Sequence, residues 1–299
     1  MEISPTAGKR PIAIIGAGIG GLAAAIDLAV RGFEVCMYER AATPGGKMRE
    51  IEVGGRPIDV GPTVLTLREI FDEIFAAAGA RLDEHLRLRR AELLARHAWD
   101  AGARLDLYAD PQRSIDAIGR FAGARDARGY RDFVEATRRT YAALERSFVR
   151  ATRPSMLELI ARIARRNLAQ LFDVRPFADL YRSTGRYFSD PRLRQLFARY
   201  ATYCGSSPFA APATLQLIAH VELAGVWYVD GGMRRIADAL ASLAERRGAL
   251  LRYQAEVRRI RVVRGRVDAL ELTDGERIEV AGVICNADQQ ALAAGAFGA

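Results

Sequence analysis

The sequence predicts an α/β fold built on a parallel sheet, and three observations in the first forty residues lead to it. A short, β-branched apolar run, Ile12 to Ile15, is suited to a buried parallel strand. A G-x-G-x-x-G pattern follows at once, with its glycines at Gly16, Gly18 and Gly21. A helical stretch and a second apolar run come next, and Glu39 stands at the end of that run, about 20 residues after the glycines. This order of elements is typical of a Rossmann-like unit.

Each position in this pattern has a physical reason. Gly16 permits the tight turn from strand to helix, and Gly18 lets the backbone approach a pyrophosphate. Gly21 and Ala25 let the helix pack closely on the strand, and the helix N-terminus offers N–H groups to phosphates. Glu39 can accept hydrogen bonds from ribose hydroxyls and disfavours a 2′-phosphate by charge repulsion. These residues predict a dinucleotide site but leave open which dinucleotide binds.

A second glycine segment follows Glu39 directly. It reads Arg40-Ala41-Ala42-Thr43-Pro44-Gly45-Gly46-Lys47, with a basic residue at each end. Gly45 and Gly46 would let the backbone pass close to a cofactor, and Lys47 could contact its phosphate or ring system. By itself the segment is equally compatible with a glycine turn and a solvated lysine.

The next segment predicts a β-hairpin. Met48 to Val53 and Arg56 to Val60 read as two strands, because the Gly54-Gly55 pair between them is a strong hairpin signal. An NAD dehydrogenase would more often continue through another helical crossover. Gly61-Pro62-Thr63 follows the second strand and would place rigid backbone beside a cofactor, with an ordinary turn as the alternative.

The middle of the chain predicts a mixed helix and strand region. Leu67 to Ala78 has helical spacing, and Leu93 to Trp99 with Arg104 to Tyr108 read as strands of a further sheet. Tyr130 to Ala151 and Ser155 to Phe172 are two basic helical stretches. A basic amphipathic helix can lie on an anionic membrane, but a solvated arginine face on a domain helix explains the same pattern.

Composition narrows the class of protein. The chain has 299 residues, half of them apolar, and three cysteines that are far apart in sequence. This argues against disorder, a disulfide framework or a zinc ribbon, and the histidines show no metal-ligand spacing. Fifteen arginines and seven acids between Arg131 and Tyr200 account for the whole net charge of +8. No nucleic-acid-binding motif lies in this basic region, and no transmembrane helix is evident in the sequence.

The last third of the sequence predicts a return to the α/β fold that begins in the first forty residues. Arg234 to Arg246 reads as a helix, and Val257 to Ile260 begins a strand. Arg266 to Leu272 and Arg277 to Ala281 form a strand pair with Asp274-Gly275 as the turn. Val283 to Asp288 reads as a further strand and its cofactor-side end.

Taken in order, these motifs resemble the phytoene desaturase family of the FAD-dependent amine oxidase superfamily. The resemblance implies a Rossmann-like FAD-binding domain of the glutathione-reductase/amine-oxidase type with an inserted α+β substrate domain. It also implies a role for Val257, whose family counterpart contacts adenine through its backbone. The implied cofactor-binding residues are Gly16, Gly18, Gly21, Glu39, Arg40, Gly45, Gly46, Lys47, Gly61, Pro62, Thr63 and Val257.

The same resemblance suggests how the chain is divided. Residues 1–75 and 226–299 would form the FAD-binding domain in two parts, and residues 76–225 the substrate and membrane-facing domain. Members of the family carry a second glycine-rich flavin-contact motif later in their sequences. We find no counterpart in these 299 residues, which predicts that the chain is a fragment.

The activity implied is desaturation of an acyclic carotenoid, with hydride transfer to the flavin. Three segments most resemble hydroxycarotenoid 3,4-desaturases (methoxyneurosporene dehydrogenases): Gly61 to Leu67, Leu94 to His97 and Arg104 to Tyr108. A substrate dissolved in the bilayer implies a cytoplasmic protein attached peripherally to the membrane, with quinone or oxygen as the candidate electron acceptor and no nucleic-acid partner. No motif identifies the catalytic base, and no metal is expected.

Three other interpretations stay open at the level of sequence. Another flavin oxidase, such as an amine oxidase or protoporphyrinogen oxidase, would share Gly16 to Lys47 but differ in the middle domain. A lipid-binding escort protein of the Rab escort type could keep the fold without the redox role, although the intact glycines and Glu39 argue against it. An NAD-dependent dehydrogenase is disfavoured by Gly45-Gly46-Lys47.

Overall fold

A computed structural model of the chain describes residues 10–151, Glu158 and residues 178–298. The chain divides into two compact units. The first unit joins the residues up to Arg89 with those from Trp227 onward, and the second is Arg90–Val226. Apart from Glu158, the predicted basic stretch from Ser155 to Phe172 lies outside the described residues.

The elements are labelled in chain order among the described residues. The strands are β1 (Ile12–Ile15), β2 (Val35–Tyr38), β3 (Glu50–Val53), β4 (Arg56–Asp59), β5 (Leu88–Arg90), β6 (Leu93–Ala98), β7 (Arg104–Tyr108), β8 (Trp227–Val229), β9 (Leu250–Arg252), β10 (Val257–Val263), β11 (Arg266–Leu272), β12 (Arg277–Glu279) and β13 (Gly282–Cys285). The α-helices are α1 (Ile19–Val30), α2 (Arg68–Ala77), α3 (Pro111–Ala122), α4 (Ala124–Leu144), α5 (Leu180–Thr184), α6 (Pro191–Ala198), α7 (Leu217–Ala224), α8 (Arg234–Arg246) and α9 (Gln289–Ala293). Shorter 3₁₀ turns cover Leu82–Glu84, Asp100–Gly102, Arg199–Cys204 and Ala213–Gln216.

A four-stranded parallel sheet with the order β13-β1-β2-β9 forms the centre of the first unit. Its strands are short and mostly apolar, and β2 is buried along its whole length, as expected for a parallel sheet covered on both faces. The register places Ile15 of β1 between Tyr38 of β2 and Cys285 of β13. The residues that follow these three strands therefore meet at one edge of the sheet. The predicted α/β fold class is confirmed.

Helices α1 and α8 pack against each other beside this sheet. Leu22 and Ile26 of α1 and Ile236 and Leu240 of α8 are almost fully buried, at the helical spacing that places an apolar stripe on one face. The predicted first helix is present as α1, which begins at Ile19 with Gly18 as its N-cap. Because Gly18 has no side chain to cap the helix, the first backbone N–H groups of α1 keep their donor capacity.

Two antiparallel elements complete the first unit. Gly54 and Gly55 join β3 to β4 with φ angles of 59° and 75°, the left-handed values that a tight hairpin requires at both central positions. Strands β10, β11 and β12 form a three-stranded sheet. Its predicted turn is present, since the Asp274 carboxylate accepts a hydrogen bond from the Glu276 backbone N–H at 2.9 Å.

The second unit combines the β6-β7 hairpin with five of the described helices. Its core is aromatic: the Phe197 ring lies 4.7 Å from Phe188 and 4.8 Å from Phe133 between centroids. Helix α4 covers part of the predicted Tyr130 to Ala151 stretch, and a π-helical turn, Glu145–Val149, follows it. The predicted strands β6 and β7 pair with each other as a two-stranded sheet.

Asp126 fixes α4 to the segment that leads into α6. Its carboxylate is almost fully buried and accepts hydrogen bonds from the Ser189 backbone N–H and hydroxyl, each at 2.6 Å. Gly129, one turn later, lies so close to Tyr187 that an added Cβ would be 1.8 Å from the Tyr187 carbonyl oxygen. Across the described residues, no helix has the length and apolar character needed to cross a membrane.

Candidate functional site

The candidate site lies where the first strands of the parallel sheet end. Gly16 follows β1 with φ of 95°, a left-handed conformation that favours glycine, and its N–H donates to the Tyr38 carbonyl at 2.8 Å. A Cβ added to Gly21 would lie 2.2 Å from the Gly16 carbonyl oxygen. The start of α1 is thus pressed against the turn at a distance that only glycine allows.

Glu39 stands at the end of β2 and is 8% exposed. One carboxylate oxygen accepts a hydrogen bond from the Ala17 N–H at 2.7 Å, and the other accepts from the Ala41 N–H at 2.8 Å. The acid therefore links the glycine turn to the second glycine segment. Each carboxylate oxygen can accept a further hydrogen bond, so Glu39 keeps capacity for a ligand hydroxyl.

The second glycine segment packs directly on the first. The Gly45 N–H donates to the Ala17 carbonyl at 2.9 Å, and Gly45 forms a parallel bridge with Gly18. Gly46 has φ of 59°, and a Cβ added there would lie 3.2 Å from the Gly18 Cα. The glycines of the two segments thus form one surface that carries almost no side chains of its own.

The third predicted segment joins the same region. A Cβ on Gly61 would lie 1.9 Å from the Lys47 carbonyl oxygen, so this position requires glycine. Asp59, two residues earlier, accepts hydrogen bonds from the Met233 N–H at 3.1 Å to both carboxylate oxygens. This contact ties the end of the hairpin to the start of α8.

These segments surround a cavity of about 1360 Å³ in the first unit. Ten of the twelve predicted cofactor residues line it: Gly16, Gly18, Glu39, Arg40, Gly45, Gly46, Lys47, Gly61, Pro62 and Val257. Gly21 lies behind the turn rather than on the wall, and Thr63 is exposed and does not line the cavity. The structure thus brings residues separated by more than 200 positions into one site.

The wall carries opposite charges in different places. Arg40, Lys47 and Arg49 supply positive charge from exposed side chains, whereas Glu39 supplies a buried carboxylate. Burial raises the pKa of Tyr38 far above its ordinary range, and its hydrogen bond with Cys36 adds to the shift, so the phenol stays neutral.

Arg252 stands behind this wall. Its guanidinium lies 5.5 Å from the Tyr38 ring centroid and pairs with both oxygens of Glu276, at 2.8 and 2.6 Å. The hydrogen bond from Arg252 holds the pKa of the Glu276 carboxyl below its usual value. This bidentate pair therefore keeps both groups charged and fixes the guanidinium over Tyr38.

Sequence reasoning missed several residues of this wall, among them Arg49, Glu256 and Phe297. It placed the segment around Asn286 at the cofactor-side end of a strand but assigned no role to any residue there. A signal was available, because Asn286, Ala287 and Asp288 directly follow an apolar parallel strand, and side chains at the carboxyl ends of such strands commonly form the ligand crevice.

The arrangement fits a dinucleotide. The glycine surface lets backbone N–H groups approach phosphate, and the start of α1 adds the positive end of its dipole. Exposed cations at the mouth and a buried carboxylate with spare acceptor capacity match a molecule with both phosphates and ribose hydroxyls. Within the described ranges, no group of three or more His, Cys, Asp or Glu side chains could hold a metal ion.

Tyr200 and Tyr203 of the second unit do not line this cavity. Tyr200 is buried in the aromatic core and donates its hydroxyl to Glu222 at 2.8 Å, while Tyr203 is 64% exposed. Burial, followed by the charge of Arg199, lowers the pKa of His97, and burial also lowers the pKa of His220. These contacts do not identify a catalytic base.

The fold and the glycine-walled cavity define an α/β protein of the dinucleotide-binding class. The chain belongs to the flavin containing amine oxidoreductase family, whose model matches residues 19–297. Membership implies a flavin cofactor.

Comparison with characterised proteins gives two informative relatives. The chain is 49% identical over 288 residues to a hydroxyneurosporene desaturase of Rubrivivax gelatinosus, covering 96% of this chain and 55% of the relative. It is 37% identical over 278 residues to a phytoene dehydrogenase of Streptomyces griseus, covering 93% of this chain and 54% of the relative. The chain therefore spans about half the length of the relatives it matches.

A solved oxidoreductase from Methanosarcina mazei shares the fold. It aligns with a TM-score of 0.61 at 18% identity, over 96% of this chain and 60% of that one. At this identity the likeness concerns the fold alone.

Proposed function

We propose that the full gene product is an FAD-dependent desaturase that introduces a conjugated double bond into an acyclic carotenoid. The observation that carries this proposal is the 49% identity to hydroxyneurosporene desaturase, which extends over 96% of the chain and so includes both units. Family membership supports the flavin, and the first unit contains a cavity whose wall suits a dinucleotide.

In this proposal the first unit holds FAD along the wall already described. The backbone at Gly16, Gly18 and Gly46 would approach the pyrophosphate, because these residues carry no side chain of their own. Glu39 would accept hydrogen bonds from the ribose hydroxyls, and its negative charge favours FAD over a cofactor with a 2′-phosphate. Gly21 would act from behind the turn by allowing α1 to approach.

The other predicted cofactor residues would have further roles in binding FAD. Arg40 and Lys47 would pair with phosphate charge, and Gly45 would hold the second segment against the first. Gly61 and Pro62 would lie beside the flavin ring and the Val257 backbone beside adenine, whereas Thr63 lies outside the cavity wall. Residues 1–75 and 226–299 would then form the cofactor domain and residues 76–225 the substrate domain.

The chemistry removes two hydrogens from adjacent carbons and forms one C=C bond. When bound, FAD supplies an acceptor for the hydride that leaves one of these carbons. The neighbouring carbon loses a proton to a base, and the conjugated chain delocalises the positive charge so that a weak base suffices. The protein's part is to hold the apolar chain in place and to exclude water.

We also propose peripheral attachment at the cytoplasmic membrane surface, since a carotenoid is dissolved in the bilayer. The arginine excess between Arg131 and Tyr200 suits anionic lipid headgroups. Tyr203 and Phe209 of the second unit are 64% and 68% exposed, as side chains at a membrane interface can be. Quinone or oxygen would reoxidise the flavin.

The test uses the full-length gene, expressed in bacteria that make neurosporene or its 1-hydroxy derivative. We expect a red shift of the pigment spectrum, because one added double bond lengthens the conjugated chain. A Gly18→Val variant should abolish the shift, because its side chain would collide with the Asn286 amide, which lies 2.9 Å from the added Cβ, and would distort the glycine turn. Gly282→Val is the matched control, because a Cβ at Gly282 meets nothing within 4 Å.

The other outcomes separate the remaining interpretations. A folded, yellow protein that carries FAD but shifts no pigment would refute the carotenoid substrate and leave another flavin oxidase. A folded protein that is colourless and free of flavin would favour a lipid-binding relative.

A further inference from the structure

Asn286 occupies a special place in the first unit. Strand β13 pairs with β1 so that Cys285 lies opposite Ile15, and the next residue, Asn286, therefore lies beside Gly16. The Asn286 N–H donates to the Ile15 carbonyl at 2.9 Å, which extends the parallel ladder by one residue. The backbone thus delivers the Asn286 side chain onto the glycine turn.

That side chain lies across the glycines of the turn. Its Nδ2 donates to the Gly16 carbonyl at 3.5 Å. A Cβ added to Gly18 would lie 2.9 Å from Nδ2, and one added to Gly20 would lie 2.7 Å from Oδ1. One amide therefore occupies the space that these glycines leave open, and Asn286 also lines the cavity.

The absence of charge on the Asn286 side chain matters as much as its shape. It lies at the N-terminal end of α1, where positive dipole and backbone N–H groups attract negative charge. A carboxylate of the same size would attract those groups itself and would repel a phosphate bound beside it. A neutral amide fills the space without competing.

Resting this inference on the proposed function, we infer that Asn286 is a positioning residue of the cofactor site. It holds the glycine turn in shape and adds no negative charge at the phosphate-binding end of α1, where the Glu39 carboxylate is already bonded to the Ala17 N–H. A purely structural role would predict something different. It would make Asn286→Ala and Asn286→Asp equally harmful to FAD binding, because both lose the amide donor to Gly16.

The experiment measures FAD affinity of the full-length apoprotein by quenching of flavin fluorescence, in 50 mM and 1 M salt. We expect Asn286→Ala to raise Kd by about threefold and Asn286→Asp by on the order of tenfold or more beyond that in low salt. The ratio of the Asp variant's Kd to that of the Ala variant should shrink in 1 M salt, because salt screens charge repulsion and does not restore a lost contact.

Two controls make the result decisive. Gln290→Glu adds the same charge on exposed α9, outside the cavity wall, and should change Kd by less than about threefold. Urea unfolding of each apoprotein checks that Asn286→Asp is folded and no less stable than Asn286→Ala. An Asp variant that binds FAD as well as the Ala variant, or a loss that is the same at both salt concentrations, would overturn the inference while leaving the proposed function intact. Wild-type protein that binds no FAD would refute the proposed function, and the inference with it.

Discussion

Two glycines, one in each unit, lie against a backbone carbonyl more closely than any side chain permits. An added Cβ would be 2.2 Å from the Gly16 carbonyl oxygen at Gly21, and 1.8 Å from the Tyr187 carbonyl oxygen at Gly129. Gly21 belongs to a spaced motif beside a large cavity, whereas Gly129 lies in α4 next to packed aromatic rings. Close backbone approach alone therefore does not indicate a ligand. A site is indicated when the tight turn borders open volume.

The two regions also differ in what fills the space around them. In the second unit, the rings of Phe133, Phe188 and Phe197 fill the core, and Asp126 uses its buried carboxylate to join two segments. In the first unit, Glu39 has the same kind of backbone hydrogen bonds but stands at the edge of the cavity. Substitutions in the second core should therefore affect stability, and those at the glycine turn should affect cofactor binding as well.

The largest expected effect is from Phe133→Ala in the aromatic core. Phe133 is fully buried and contacts several rings, so the free energy of unfolding should fall by about 3–5 kcal/mol. Urea unfolding of the full-length protein measures this loss. Phe209→Ala is the matched control, since Phe209 is 68% exposed and its truncation should cost little. Equal losses in both variants would show that the aromatic cluster is not the core of this unit.

Substitutions at the two closely packed glycines, Gly129 and Gly21, should both affect stability but should differ in their effect on FAD binding. Gly129→Ala and Gly21→Ala should each lower the free energy of unfolding by about 3 kcal/mol, because a backbone segment must shift. Only Gly21→Ala should also weaken FAD binding, as measured by flavin fluorescence on variants that remain folded. Gly119→Ala and Gly282→Ala serve as controls, since their added Cβ atoms meet no heavy atom closer than 3.6 Å. A folded Gly129→Ala protein with weakened FAD binding would contradict the claim that only the Gly21 position affects the cofactor site.

Asp126→Asn should lower the free energy of unfolding somewhat less, by about 1.5–3 kcal/mol, which is the range for hydrogen bonds to a charged group. The buried carboxylate accepts from the Ser189 N–H and hydroxyl, and an amide cannot accept on both of its heavy atoms. Urea unfolding checks the value against Asp116→Asn, an exposed substitution on α3 that should change stability little. FAD affinity should be unchanged in both variants.

The smallest effect concerns pH. Burial lowers the pKa of His97 and His220 in the folded protein, so the unfolded chain binds more protons than the folded one as pH falls. Their contribution to stability is present above the unfolded pKa of about 6.5 and is lost as pH falls through the folded pKa. Unfolding in urea at pH 7.5 and 5.5 should show this decrease.

The control for this effect is a His97→Gln, His220→Gln double variant, in which the decrease should be smaller. Asp190 and Glu276 have lowered pKa values because Arg192 and Arg252 donate hydrogen bonds to them. The stability that these two carboxylates contribute is lost in a more acidic range, below about pH 4. An unchanged pH dependence in the double variant would contradict the assignment to the histidines.

Local features of the sequence were sufficient for much of the first unit. The run Ile12 to Ile15, the Gly54-Gly55 turn and the helix Arg234 to Arg246 all appear where their residues predict them. These features depend on neighbours within a few positions, such as β-branched side chains, left-handed glycines and helical spacing. The order of the glycine motifs also identified the family before any contact was known.

The fold class, the elements of the cofactor unit and the family can be predicted from the sequence, because each depends on residues that are close together along the chain. Tertiary structure alone decided what those residues meet. Asn286 contacts Gly16 across 270 positions, Gly129 lies against Tyr187, and Tyr200 is buried in an aromatic core. Such contacts depend on strand register and helix packing between distant segments, and no local pattern of residue types encodes them.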